Sequence, residues 1–112
     1  MYISRRSDPL DEAGAAISPE EWRQQIASET DFRVPAVDEG KHMGQHGRMW
    51  TGYKYPVAFD WVDGQVDVKN PDATIIARMK ALAGKLGANV FSETGELYDD
   101  NGAHAGFLQG FP

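Results

Sequence analysis

Asp63-Gly64 stands between two short runs, Val57 to Val62 and Gln65 to Val68, in which apolar side chains recur at alternate positions. A two-residue type I′ turn needs positive φ at both central positions, which Asp tolerates and Gly adopts freely, so this dipeptide predicts a β-hairpin. So short a turn also sets the register. Val62 faces Gln65, Trp61 faces Val66, Asp60 faces Asp67 and Phe59 faces Val68. Successive side chains alternate between the faces of a strand, so Phe59, Trp61, Val66 and Val68 belong to a core face. Asp60 and Asp67 are then set against each other on the opposite face.

Helix signals flank this hairpin. Ser18-Pro19-Glu20-Glu21 carries an N-cap, a proline at the first helical position and a capping box, predicting a helix that ends near Ser28 or Thr30. Its narrow apolar stripe, Trp22 and Ile26, suits a helix lying on a sheet. Asn70-Pro71-Asp72 predicts a second helix start, with Asn70 as N-cap and Pro71 in the first turn. Ile75, Ile76, Met79, Leu82, Ala83 and Leu86 follow helical spacing, and Gly87 is placed to end the helix. Met1 to Arg5, Ala88 to Phe91 and Glu96 to Tyr98 read as short strands, with a turn at Thr94-Gly95. Ser7 to Gly14 is turn-rich; residues 31–48 give no clear element, with Val34-Pro35 compatible with extended chain and Asp38 to Lys41 and Gly44 to Arg48 reading as loop. Tyr53, Tyr55, Val57, Phe59 and Trp61 share one parity, with Gly52 and Pro56 interrupting. The expected fold is a single α+β domain over residues 1–112: a two-layer sandwich with a four- to five-stranded, mainly antiparallel sheet and two helices on one face. Residues 100–112 form a glycine-bearing tail.

Composition removes several classes of function. The chain has no cysteine, which excludes disulfides, thiolate catalysis and Cys-ligated zinc. It has no 18-residue apolar run and no apolar core behind its N-terminal charges, so neither a membrane span nor a secretory signal is expected, and a cytoplasmic setting follows. Seventeen acids against eleven bases give a net charge of −6. That balance disfavours nucleic acid as a direct partner and speeds encounter with a basic protein; it equally serves solubility.

Few residues offer chemistry. Asp60 and Asp67 read as an acidic patch facing a basic partner, or as a solvated face with Lys69 as local counter-charge. A catalytic carboxylate pair is a third reading, opposed by the lack of a pocket on an open sheet face. His42 and His46 have i, i+4 spacing, but Gly44 and Gly47 argue against the helix that metal ligation would need, and His104 lies in the tail; exposed loop histidines and no metal are expected. The aromatic cluster from Trp50 to Trp61 serves either the core or a partner hot spot. No nucleophile elbow surrounds any serine, and no phosphate-binding glycine loop opens a helix.

The run Val66-Asp-Val-Lys-Asn-Pro-Asp72, with Ile76-Ala-Arg-Met79, Ala83-Gly-Lys-Leu-Gly-Ala88, Glu93-Thr-Gly-Glu-Leu-Tyr98 and the Ser18 to Trp22 helix start, resembles small bacterial immunity proteins that counter contact-delivered or secreted antibacterial toxins. The resemblance covers residues 1–6, 17–29 and 57–99. It implies a cytoplasmic protein without catalytic residues or cofactor. Its partner would be a cognate toxin domain, such as a basic nuclease, whose active cleft it covers. The contact surface expected on that basis is Asp60, Asp63 and Asp67, with Glu93, Glu96 and Asp99 from the other turn; the unmatched residues 31–50 are a further candidate. A non-catalytic adaptor and a small enzyme using Asp60 and Asp67 with a divalent cation are the alternatives.

Overall fold

The computed structural model describes residues 1–6 and 16–98. Asp99, His104, the 7–14 segment and the 100–112 tail lie outside them. The elements in chain order are β1 (Tyr2–Ser4), α1 (Pro19–Ala27), β2 (Phe32–Arg33), α2 (Val37–Gly40), β3 (Arg48–Trp50), β4 (Val57–Val62), β5 (Gln65–Asp67), α3 (Ala73–Lys85) and β6 (Asn89–Phe91). Six strands form one antiparallel sheet in the order β2-β3-β4-β5-β1-β6. The α+β class stands, with one strand more than the upper expectation. Two strands, β2 and β3, and the short α2 come from residues 31–50, where no element is legible in the sequence. Glu96 to Tyr98, expected as a strand, makes only an isolated bridge from Leu97 to Phe91 among the described residues, because the turn at 92–96 leaves too few residues to continue the pairing.

The hairpin register is the one its turn dictates. Asp60 pairs with Asp67, Trp61 with Val66 and Val62 with Gln65, while Asp63 (φ 51°) and Gly64 (φ 87°) occupy the left-handed region. A side chain at Gly64 has no room: its Cβ would lie 2.8 Å from Ala16 Cβ. The Gly64 carbonyl also accepts the Ile17 N–H at 2.9 Å, which leads the chain into α1. There Ser18 and Glu21 form the reciprocal capping box, and Arg5 bonds the same Glu21 carboxylate.

Both long helices pack on one face of the sheet. Trp22 and Ile26 of α1, and Ile75, Ile76, Met79, Leu82 and Ala83 of α3 with Leu86 just beyond it, meet Ile3, Trp50, Val57, Phe59, Val66, Val68 and Val90 in one core. Trp61 joins its margin and donates its indole N–H to the Ile17 carbonyl at 2.8 Å. The start of α3 differs from expectation. Asp72, not Asn70, is its N-cap, accepting the Ile75 N–H at 2.9 Å, while Asn70 takes a left-handed turn (φ 47°) that brings the chain out of the hairpin. Both residue types cap well; the turn claims the one that tolerates positive φ.

An ionic network ties α3 to the exit of α1 and to the β2–β3 edge of the sheet. Arg78 of α3 donates to Glu29 at 2.6 Å and to both oxygens of Asp31 at 2.7 and 3.0 Å. Lys85 reaches Glu29 at 2.9 Å, and the Trp50 indole reaches Asp31 at 2.7 Å. Arg78 also lies over the Phe32 ring. The hydrogen bonds from Arg78 and Lys85 hold Glu29 below its ordinary pKa. Burial would raise Asp31, but Arg78 and Trp50 outweigh it and leave Asp31 lowered too.

Gly64→Ala is expected to lose about 1–3 kcal/mol in urea denaturation, through positive φ and the Ala16 contact together. Arg78→Met should cost roughly 2–4 kcal/mol at neutral pH, because it leaves the nearly buried Glu29 carboxylate and Asp31 without their main partner. Glu29 and Asp31 have folded pKa values below the unfolded ones of about 4.3 and 3.9. Their contribution is therefore complete above those values and disappears as the pH falls through the depressed folded ones. The stability gap between wild type and Arg78→Met should accordingly be large at pH 7 and shrink as the solution is acidified toward and below the depressed values.

Candidate binding groove on the open sheet face

The strand pairings carry two rows of side chains across β4, β5, β1 and β6. Trp61, Val66, Ile3 and Val90 form the helix-facing row; Asp60, Asp67, Tyr2 and Phe91 form the outer one. Tyr2 and Phe91 stack with ring centroids 5.4 Å apart and planes within 14°. Partial burial and the neighbouring Asp67 charge together raise the Tyr2 pKa.

Beside this row the outer face is not flat. A groove of about 480 Å³ is lined by Glu39, His42, Met43, Met49, Tyr55, Pro56, Val57, Ala58, Asp60, Asp67 and Lys69. This corrects the expectation that an open sheet offers no pocket. Its walls come from segments that carried no strand or helix signal. β4 pairs with β3 through residues 57–59 only, and the 41–47 loop runs beside the half of β4 that β3 leaves uncovered. The Gly44 N–H donates to Asp60 Oδ1 at 3.0 Å, and Gly47 N–H returns to the Gly44 carbonyl at 3.0 Å. Gly47 is buried there, and a Cβ on it would stand 3.0 Å from Asp60 Oδ1 and 3.1 Å from Met43 Cβ. The two glycines thus serve close approach of the loop to the strand.

The same loop anchors inward. The His46 carbonyl accepts the Trp22 indole N–H at 2.8 Å, and the His46 ring meets Trp61 edge-on at 5.4 Å. His46 is therefore half-buried packing, whereas His42 is exposed at the groove. The opposite wall arises because the chain bends at 51–56 instead of extending β4. Tyr55 is 54% exposed and does not share the core face of Val57 and Phe59. Tyr53 packs between Trp50 and Tyr55 and donates its hydroxyl to Asp72, which lifts the Tyr53 pKa to about 12 and lowers that of Asp72.

Charges in the groove are unevenly matched. Arg33 makes a two-pronged bond to Glu39 at 2.7 and 2.9 Å and holds its pKa down at about 2. Asp60 Oδ1 accepts from Gly44, and Asp67 Oδ1 accepts from Gln65 Nε2 at 2.8 Å. Among the described residues neither aspartate forms an ion pair, and Lys69 makes none either. The expected local neutralisation by Lys69 is thus not a direct contact.

The remaining candidates lie elsewhere. β4 and β1 run toward the Asp63-Gly64 turn, and β5 and β6 run away from it. Exposed Asp63 therefore sits at one end of the sheet, its carbonyl bonded to Arg6, while Glu93 and Glu96 occupy the turn after β6 at the other end. Asp60 and Asp67 are direct cross-strand partners; Asp63 and the Glu93–Glu96 turn lie at opposite ends of the sheet, and Gly95 of the latter turn sits beside the hydroxyl of Tyr2, the strand partner of Asp67. Sequence reasoning did not single out Met43, Met49 or Tyr55 as groove residues, although Met43 and Met49 fall in the 31–50 segment held as a further candidate and Tyr55 in the Trp50–Trp61 aromatic cluster.

Among the described residues, no group of three or more His, Asp or Glu side chains is arranged to hold a metal ion. No helix there is long and apolar enough to cross a membrane. Comparison with family models, with curated proteins and with solved structures finds no match to this chain.

Directly opposed like charges on a sheet cost a few tenths of a kcal/mol to about 1 kcal/mol. Asp67→Asn keeps an acceptor for Gln65 and removes one of the two charges. It is expected to raise unfolding stability by about 0.3–1 kcal/mol at low salt, with a smaller gain at high salt as screening takes over. A loss of stability in urea denaturation would contradict this account of the pair.

Proposed function

We propose that this chain is a non-catalytic binder that neutralises a basic antibacterial toxin by lying over its active cleft. The observation that carries this reading is the uncompensated Asp60/Asp67 pair, held in a groove on the face of the sheet that α1 and α3 leave free. A pair of like charges without an ionic partner is costly to keep in a stable fold, and a basic partner turns that cost into affinity and specificity. The acidic net charge supports fast encounter with such a partner. The resemblance of the helix caps and of residues 57–99 to immunity proteins supports the neutralising role and a cytoplasmic setting. The proposed contact surface centres on Asp60 and Asp67 with the loop segments around them, with Asp63, Glu93 and Glu96 as flanking candidates at the two ends of the sheet.

The test is capture of the partner by tagged protein from the native cell at low and moderate salt, followed by co-expression. One dominant, basic, equimolar partner is expected, toxic when expressed alone and harmless beside this chain. Asp60→Lys/Asp67→Lys should abolish both capture and protection, while Asp60→Asn/Asp67→Asn weakens them. No partner at either salt, or full protection by the charge-reversed protein, would refute the proposal.

A further inference from the structure

We infer that the groove takes an arginine side chain projecting from an exposed segment of the partner. The identity of that partner rests on the neutralising reading; the groove chemistry is tested separately. The charge balance selects a cation. Glu39 is already matched by Arg33, so the excess negative charge lies on Asp60 and Asp67, opposed only by exposed Lys69 outside ion-pair distance. His42 and Tyr55 are the other titratable groups that face the space.

Geometry then distinguishes among cations. Each aspartate commits its Oδ1, one to Gly44 and one to Gln65, which leaves an Oδ2 on each of two adjacent strands. Opposed residues on neighbouring strands lie about 4.5–5.5 Å apart at Cα and project to the same face, so both carboxylates can reach one bound group. Two separate acceptors suit a planar fork of N–H donors better than a single point charge. A metal ion lacks a third ligand among the described residues. The walls decide between guanidinium and ammonium. Met43, Met49, Tyr55, Pro56 and Ala58 offer apolar and aromatic surface, on which the weakly hydrated guanidinium stacks and which the strongly hydrated ammonium avoids. The space of about 480 Å³ is within the range of ligand pockets.

The experiment titrates ¹⁵N-labelled full chain with Nα-acetyl-arginine methylamide and, in parallel, with the lysine counterpart. Saturable shifts are expected at the amides of Met43, Gly44, Tyr55, Asp60 and Asp67, with the arginine compound binding at least about fivefold more tightly. In Asp60→Asn/Asp67→Asn, checked for folding by urea denaturation, the arginine affinity should fall by about tenfold or more. Equal response to the two compounds, shifts away from the groove, or an unchanged affinity in the double variant would overturn the inference. Arginine-specific shifts in a protein that captures no toxin would sustain the groove chemistry and refute neutralisation. A captured toxin without any arginine-specific response would refute the groove chemistry alone.

Discussion

The register of the β4–β5 hairpin is the constraint on which the rest of the structure depends. Side chains alternate between faces with a period of two, so a slip by one residue would send Phe59, Trp61 and Val66 to solvent and both aspartates toward the core. The two left-handed residues at the turn prevent that slip. The register then passes sideways through β1 and β6, giving an apolar row of Trp61, Val66, Ile3 and Val90 beneath the helices and a row of Asp60, Asp67, Tyr2 and Phe91 above. The pairing that builds the core also sets the two carboxylates side by side. Neither can be had without the other in this hairpin.

The opposed aspartates are a local cost set within a structure that is otherwise well paired. Arg78 connects α3 to the exit of α1 and the start of β2, and through Asp31 to Trp50 of β3. β3 in turn supplies Met49 to the groove, and the 41–47 loop that precedes it closes on Asp60. The ionic network and the groove are thus both built on the β2–β3 segment. The paired charges of this network lie with the helix layer, and the open face carries the two opposed aspartates, which form no ion pair among the described residues.

What was legible in the sequence was what local chemistry decides. The Asp63-Gly64 hairpin, the Ser18 capping box and the α3 stripe each have a signal within a few residues, and each is found as read. The 31–50 region was not legible, because strands of two and three residues are too short to show a period. Gly44 and Gly47 looked like loop punctuation; their role is a close approach to Asp60, sixteen and thirteen positions along the chain, respectively. The groove shares that origin, since its walls join the 41–47 loop, the bend at 51–56 and the strand floor only in three dimensions. Whether the Asp63 turn and the Glu93–Glu96 turn are neighbours was not legible either; strand direction puts them at opposite ends of the sheet. Asn70 read as the cap of α3, but the exit from the hairpin claims it and Asp72 caps the helix instead.

The most direct test of the account is hydrogen exchange on the full chain alone and in complex with its captured partner. Exchange reports local opening, so segments covered by a partner gain protection while untouched ones keep their rates. The account predicts new protection at residues 42–47, 54–58 and 67–69, around the groove, with the exposed amides of α1 unchanged. Protection confined to the helix layer or to the turn at 92–96, with the groove segments exchanging as in the free protein, would contradict it.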